Sequence, residues 1–330
     1  MRVHYHESPL SSNPIPRYRG KGQYYIPELQ NLYYVLIAIL YIPCLIVIYK
    51  HIEQPCYKIM FFIGIIDVVG LIVTAFLPGL FCFIGYVYCS SPVFMYSVGV
   101  AGYALLSTET MAAILLAANR CISMAFSDFE ETLFRGYRTW LWLTIPTVYS
   151  LWFAYISKPT LFSAYYGGWH LNPHEGYIPY NFFDYFTPYD FWHEVIIVCG
   201  YFGFYGLFFV LMIFKFAQHS LLTKKHIFTQ KMIFLQVLIL SLVNSANASI
   251  YIMADFITIP PVILIAAIYT WIVCHGIPPV IYLTLNKTIQ TDCRNLFFGK
   301  KKHKKKIHTT VVSTNTNQVS VSARLTRSSY

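Results

Sequence analysis

Charged residues are scarce in this chain. They make up 12% of its 330 residues, against about 25% in an average soluble protein, and 56% of the residues are hydrophobic. The few charges gather between long apolar stretches, which excludes a soluble globular domain. No HExxH pattern or comparable ligand spacing falls on an apolar stretch, and no lysine lies inside the last one. We therefore expect no enzyme, no metal, no cofactor and no covalently linked retinal.

Seven apolar stretches have the roughly 17 to 25 residues that a helix needs to cross a bilayer. They predict an all-α membrane protein, a bundle of seven transmembrane helices in residues 29–285. Residues 1–28, which lack the apolar core of a signal peptide, precede it, and an amphipathic segment, 286–298, and a basic tail, 299–330, follow. The predicted spans, one to seven, are Leu29 to Tyr49, Ile59 to Phe81, Val93 to Ala118, Trp140 to Ser157, Val195 to Phe214, Met232 to Ala254 and Pro261 to Leu285.

Lysines and arginines fall on alternate sides of the spans. Nineteen lie in the segments after spans one, three, five and seven, against only Lys158 in the three opposite loops. Because basic segments stay in the cytoplasm during insertion, the amino terminus is predicted outside and the carboxyl terminus inside. Four basic residues before span one favour the opposite orientation locally, and we follow the count over the whole chain. These are Arg2, Arg17, Arg19 and Lys21.

Span three carries an acid and an arginine on one face. At about 100° per residue, Glu109 and Gly102 lie on the face that ends at Arg120. Met95 continues this face toward the outside. A face with charges points into the bundle, so span three is predicted to be central. Gly99 and Gly102 either permit close helix packing or leave space for a ligand.

Three ionisable residues are predicted to share a layer near the membrane midplane. At about 1.5 Å per residue, Asp67 and Glu109 lie roughly 12 to 17 Å from the cytoplasmic ends of their spans, and His275 is at a similar depth. Two close carboxylates do not both ionise cheaply, so we expect one to hold a proton, or a cation or protonated His275 to lie between them. The layer is a static network, a conformational switch, or a catalytic or metal site.

Polar residues also mark span six and the loop before span five. Asn244 and Asn247 are three apart and share a face, suited to helix packing or to lining a cavity. The loop from Tyr165 to Trp192 has twelve aromatic residues among its twenty-eight, which is typical of a lid over a bundle.

Cysteines and lysines outside the spans predict modification and lipid contact. Cys82 and Cys89, at the outer ends of spans two and three, either form a disulfide or remain thiols. Cys293 is a juxtamembrane cysteine, palmitoylated or unmodified. The run Lys300 to Lys306 is expected to attract anionic membrane lipids, and nucleic acid is not an expected partner.

Three segments are informative together: Cys56 to Asp67, Tyr88 to Pro92 and Leu115 to Cys121. They resemble the nematode serpentine chemoreceptors of class T. The resemblance covers about residues 25–298 and is most specific in spans two and three. It implies a rhodopsin-like seven-helix receptor that couples to a heterotrimeric G protein at the plasma membrane of a chemosensory neuron, including its cilium.

Within that wider superfamily, Asn119, Arg120 and Cys121 are similar to the Asp-Arg-Tyr motif, which implies contact with the G protein. The resemblance also matches Asp67 to the helix-two aspartate, and Pro279 with Tyr282 to the end of the Asn-Pro-x-x-Tyr motif. Together with Glu109 and His275 of the predicted layer, they form the predicted conformational switch. Three features depart from the superfamily pattern. Asn119 replaces the acid, Pro278 replaces an asparagine, and residues 158–193 have no cysteine for the usual bridge.

The favoured mechanism is a two-state bundle. A small molecule binds in the outer half under the aromatic lid and opens the cytoplasmic side around Arg120. The predicted ligand contacts are Met95, Gly99, Gly102, Asn244 and Asn247. The alternative is a ligand-gated channel subunit of the odorant-receptor type with inverted topology, and the basic amino-terminal segment gives it support.

Overall fold

Helices make up nearly all of the computed structural model, which describes residues 27–173, 185, 187–218, 224–254, 256–257 and 260–299. A π-helical turn, Ile72–Phe76, joins α2 to α3, and a 3-10 turn, Tyr88–Ser90, precedes α4. The helices are α1 (Pro27–Lys50), α2 (Pro55–Leu71), α3 (Leu77–Ile84), α4 (Pro92–Ala125), α5 (Ser127–Phe134), α6 (Arg138–Ile156), α7 (Pro188–Gln218), α8 (Lys224–Ala254), α9 (Pro261–Leu285) and α10 (Lys287–Phe298).

The predicted spans coincide with these helices, span two being α2, the π turn and α3 together. Five helical stretches of the described chain are long and apolar enough to cross a bilayer: Pro27–Lys50, Pro55–Ile84, Pro92–Ala125, Pro188–Lys215 and Pro261–Leu285. Spans four and six fall on α6 and α8, which are less apolar because α6 is rich in Trp and Tyr and α8 carries serines and asparagines. In α8 the apolar part is Leu238–Met253. The count of seven spans and the orientation remain predictions.

Helix α4 lies at the centre of the bundle, as its charged face predicts. It packs against α2, α6 and α7, while α9 packs against α1, α2 and α8. Polar residues of α4 are buried, with Glu109 3% and Asn119 1% exposed. On the outside of α6, by contrast, Val148 and Leu151 are exposed, as lipid-facing residues would be.

A short β-hairpin departs from the all-α prediction. Strands β1 (Leu161–Ser163) and β2 (Gly168–His170) pair antiparallel, Phe162 lying opposite Trp169. Gly167, with a φ of 66°, closes the turn, a left-handed conformation that glycine adopts without steric cost. The hairpin is the first part of the predicted aromatic lid. Residues 174–184 and 186 of that lid lie outside the described residues.

The hairpin is attached to the π turn through an indole. In the turn, the backbone N–H of Leu77 donates to the Ile72 carbonyl, and Pro78 has no N–H to offer. The Val73 carbonyl therefore has no donor in its own helix. The Trp169 indole supplies one, with Nε1 2.7 Å from the Val73 oxygen and Trp169 only 1% exposed. An apolar cluster that includes Phe81, Met95 and Phe162 surrounds the contact.

The amphipathic segment before the tail is the helix α10, which lies against the loop between α1 and α2. Its N-cap, Asn286, accepts a hydrogen bond from the backbone of Ile289. The His51 ring and the Asp292 carboxylate are 2.7 Å apart. Ile289 is fully buried against the bundle, whereas Phe298 is exposed. The predicted lipid-binding lysines, Lys300 to Lys306, lie outside the described residues.

We expect Trp169→Phe to destabilise the protein by about 1 to 3 kcal/mol, because the ring is kept while the buried Val73 carbonyl loses its donor. The measurement is thermal unfolding of the purified protein in detergent. Trp152→Phe is the matched control, since Trp152 is 53% exposed on the outer side of α6. Equal losses for the two variants would contradict this role of the indole.

Candidate functional site

Asp67 and His275 form a buried pair near the middle of the bundle. His275 Nδ1 lies 3.0 Å from Asp67 Oδ1, and both side chains are fully buried. The Tyr41 hydroxyl completes the group, lying 2.8 Å from Asp67 Oδ2 and 2.8 Å from the His275 carbonyl oxygen. Spans one, two and seven are thereby joined through one carboxylate.

Pro279 explains why the Tyr41 hydroxyl lies beside the His275 carbonyl. The His275 carbonyl would normally accept from the backbone of residue 279, but Pro279 has no N–H. In a bilayer, water does not satisfy such a group, so a side chain must. The Tyr41 hydroxyl lies between this carbonyl and the Asp67 carboxylate and is within hydrogen-bonding distance of both. Sequence reasoning missed Tyr41, although the carbonyl exposed by Pro279 was a signal that a donor was needed.

Glu109 lies beside this pair without a hydrogen bond to either member in the described structure. Its Oε2 is buried and has no hydrogen-bond partner, and neither does Nε2 of His275. The carboxylate lines a cavity of about 20 Å³ that Tyr201 and Asn244 also line. Such a volume fits one water or one ion and is far below the roughly 300 Å³ of a small-molecule site. The predicted layer is thus a bonded pair with a third ionisable group nearby.

The remaining residues of the predicted switch pack around the same level. Tyr282 is 1% exposed and lines the cavity, and the Pro279 carbonyl accepts a weak hydrogen bond from the Cys44 thiol at 3.8 Å. The side chain of Asn244 donates to the Leu240 carbonyl of its own helix. Asn247 is also buried, and its Oδ1 has no partner in the described structure.

Near the carboxyl-terminal end of α4, the residues of the Asn119 to Cys121 motif face different helices. Asn119 Nδ2 donates to Glu130 Oε1 at 2.9 Å, which connects α4 to α5. The Cys121 thiol donates to the Phe204 carbonyl of α7 at 3.3 Å. Arg120 lies between them, with a buried Nε that has no partner among the described residues.

The predicted ligand face at the outer end of α4 is closely packed. A Cβ built on Gly99 would collide with the Thr160 carbonyl, and one on Gly102 would come within 3.2 Å of Val73. Met95 is fully buried beside Trp169 and Phe162. Of the two predicted roles for these glycines, the structure shows close packing. A ligand contact at this face remains a prediction.

The structure brings together a second group of polar residues at the outer end, beside the packed face. The Tyr103 hydroxyl donates to Asp190 Oδ2 at a long distance of 3.4 Å. Ser157 and Thr187 are side-chain hydrogen-bonding neighbours of the Asp190 carboxylate, but neither hydroxyl reaches it with ordinary hydrogen-bond geometry. Asp190 Oδ1 likewise lacks a partner in the described chain. We call Tyr103, Ser157, Thr187 and Asp190 the outer polar cluster.

The cysteines singled out from the sequence are thiols in the structure. Cys82 is half-buried against the Phe81 cluster and Cys89 is exposed, and a disulfide between them remains a prediction. Cys293 is buried on α10, and its thiol donates to the Pro43 carbonyl at 3.7 Å. Burial raises the pKa of this thiol, which lowers the share of the reactive thiolate. Palmitoylation of Cys293 also remains a prediction.

Several helices of this chain are long enough to cross a membrane, and they bury ionisable side chains that face one another. These features define a multi-pass membrane protein. The family model described as "Serpentine type 7TM GPCR chemoreceptor Srt" matches residues 11–306, so the chain belongs to that family of chemoreceptors. It is also similar to Serpentine receptor class T-55 of Caenorhabditis elegans, at 26% identity over 243 residues. That alignment covers 73% of this chain and 64% of the relative's length. The resemblance seen in spans two and three is confirmed.

We expect Asp67→Ala to destabilise the protein by about 3 kcal/mol or more, since breaking a buried pair leaves His275 and Tyr41 without their shared partner. Asp292→Ala is the control, because it removes the half-exposed pair with His51 and should cost about 1 kcal/mol or less. Thermal unfolding in detergent measures both. Similar losses for the two variants would show that the Asp67 pair does not join the spans.

Proposed function

We propose that this protein is a chemosensory receptor that binds a small molecule in the outer half of its bundle and signals through a heterotrimeric G protein. Membership of the chemoreceptor family supports the receptor class. The proposed place of action is the plasma membrane, including a sensory cilium. Anionic lipids at Lys300 to Lys306 are the proposed membrane contact of the tail.

The unmet hydrogen bonds of the outer polar cluster are the observation that carries this proposal. Ser157 and Thr187 are both buried beside Asp190, and neither hydroxyl has a partner of ordinary hydrogen-bond geometry in the described chain. Burying a polar group without a partner costs free energy, which a bound polar molecule would recover. Asp190 and Tyr103 border the same place. We therefore place the proposed ligand contacts beside the face of α4 that carries Gly99 and Gly102, and not on that face.

The pair of Asp67 and His275 is the proposed coupling element. It connects spans one, two and seven, and Glu109 lies beside it with an oxygen that has no partner. A proton, a water or a small ion redistributed among these groups would favour one helix arrangement over another. A ligand shifts such an equilibrium only by its different affinities for the two arrangements. Asn119, Arg120 and Cys121 are the proposed contact with the G protein.

The topology is the first test of the receptor proposal. We expect an epitope tag at the amino terminus to be stained on intact cells and a tag at the carboxyl terminus to be stained only after permeabilisation. A tag in the loop between spans two and three is an internal control for the outer side. The reverse pattern would contradict the receptor orientation and support the inverted channel subunit.

The ligand site is tested by Asp190→Asn, which keeps the size of the side chain and removes its charge. In reporter cells that respond to a panel of small odorants, we expect at least a tenfold loss of potency, since a hydrogen bond to a charged group is worth about 1.5 to 3 kcal/mol. Glu28→Gln removes the same charge from an exposed position at the outer end of α1 and should leave potency unchanged. Equal potency for both variants would exclude Asp190 from the ligand site.

A further inference from the structure

Two cysteines from the first and the last described helix lie side by side. Cys44 of α1 is fully buried, and Cys293 of α10 is 4% exposed. Both belong to one apolar cluster. The Cys293 thiol donates to the carbonyl of Pro43, the residue before Cys44, across 250 residues of sequence. Each of the two thiols is also a side-chain hydrogen-bonding neighbour of the other.

This arrangement differs from that of other buried cysteines in the described structure. The Cys56 thiol donates to the Met60 sulfur at 3.6 Å, and the Cys121 thiol donates to the Phe204 carbonyl. In the pair of Cys44 and Cys293, two thiols are neighbours, and they need only approach to the disulfide bond length of about 2.05 Å. The bonds that they would give up are weak, since the Cys44 thiol lies 3.8 Å from the Pro279 carbonyl.

The predicted orientation decides when this pair is oxidised. Both cysteines lie toward the predicted cytoplasmic side, where the glutathione pool keeps thiols reduced in a resting cell. The structure accordingly describes both as thiols. A disulfide at this place is therefore a response to an oxidant, whereas one between Cys82 and Cys89 would face the outside and persist.

The surroundings assign different roles to the two sulfurs. Burial raises the pKa of the Cys293 thiol, and a hydrogen bond from the Cys44 thiol acts in the opposite direction. Cys293 lies on α10, outside the spans, whereas Cys44 is enclosed in span one. Since the thiolate is the reactive form, Cys293 is the sulfur that meets an oxidant first and Cys44 is its resolving partner.

We propose that Cys44 and Cys293 form a reversible disulfide in the presence of hydrogen peroxide and that this bond fixes α10 to α1. The Cys293 thiolate attacks one peroxide oxygen, the O–O bond breaks, and the products are a sulfenic acid and water. The Cys44 sulfur then attacks the Cys293 sulfur, the S–O bond breaks, and a second water leaves with the Cys44 proton. Two thiols have lost two electrons, the peroxide has gained them, and two molecules of glutathione reverse the change.

The consequence is a covalent link at a place where α10 is otherwise held by few contacts. The pair of His51 and Asp292 is half-exposed, and Ile289 supplies a buried apolar contact. A disulfide between elements so distant in sequence restricts the chain strongly. It also excludes palmitoylation, because a thioester on Cys293 would use the same sulfur. The bond requires neither the proposed ligand nor the proposed G protein.

The test uses the full-length protein in nanodiscs, freed of reductant and treated with hydrogen peroxide. Mass spectrometry of unreduced peptides should show Cys44 joined to Cys293, and dithiothreitol should reverse the link. Cys44→Ala and Cys293→Ala should abolish it. Cys56→Ala is the matched control, since it removes a buried thiol of the same apolar cluster and should leave the link unchanged.

Hydrogen–deuterium exchange measures the effect on α10. We expect peroxide to slow exchange of residues 287–298 roughly tenfold in the wild type, a small part of what a disulfide typically contributes to stability. Peroxide should leave exchange in Cys44→Ala unchanged. Unaltered exchange in a fully linked wild type would overturn the restraint of α10.

Three other results would overturn the disulfide itself. They are thiols that stay reduced, a different partner for Cys293, and oxidation of Cys293 beyond the sulfenic acid while Cys44 stays a thiol. Acyl-exchange labelling of Cys293 in expressing cells gives a further check. Complete palmitoylation there would overturn the proposal, and a free thiol would support it.

Discussion

The lipid environment requires every backbone polar group of a span to find its partner within the protein, and two carbonyls that lack helical donors organise this bundle. One is the Val73 carbonyl in the π turn before Pro78, satisfied by Trp169. The other is the His275 carbonyl before Pro279, satisfied by Tyr41. Each bond crosses between elements distant in sequence. The first fixes the outer hairpin over the bundle, and the second brings span one onto the pair formed by Asp67 and His275.

These two contacts lie at different levels of the bundle, and each level has its own set of polar groups. Residues 159–160, which lead into the hairpin held by Trp169, pack against Gly99, and unsatisfied hydrogen-bonding groups lie beside this face near Asp190. At the midplane, Tyr41 and His275 occupy both oxygens of Asp67, and Glu109 is left facing a cavity of about 20 Å³. Near the carboxyl-terminal end of α4, α5 approaches α4 through Glu130. The helix α4 contributes a residue to each level, namely Tyr103, Glu109 and Asn119.

The sequence predicted the helices of spans one and seven closely, since span seven has the same limits as α9 and span one differs from α1 by two residues at its start and one at its end. The length of an apolar stretch can be read from the local sequence, and it determines whether a helix can cross the bilayer. The cost of charge in lipid predicted that Asp67, Glu109 and His275 lie inside the bundle. It left open which of the three would pair. The hairpin was not predicted, because its strands have three residues each and their aromatic composition resembles a loop over a bundle mouth.

The sequence by itself determined that this chain is a helical membrane protein with ionisable residues facing inward, and short motifs were enough to indicate its family. Only the tertiary structure decided which groups meet. Tyr41, Trp169, Glu130 and Asp190 had no pattern to single them out, because their roles come from partners 26, 96, 11 and 87 residues away. Apolar periodicity and depth place a residue along a helix. They do not specify which neighbour reaches a carbonyl that proline or a π turn has left without a donor.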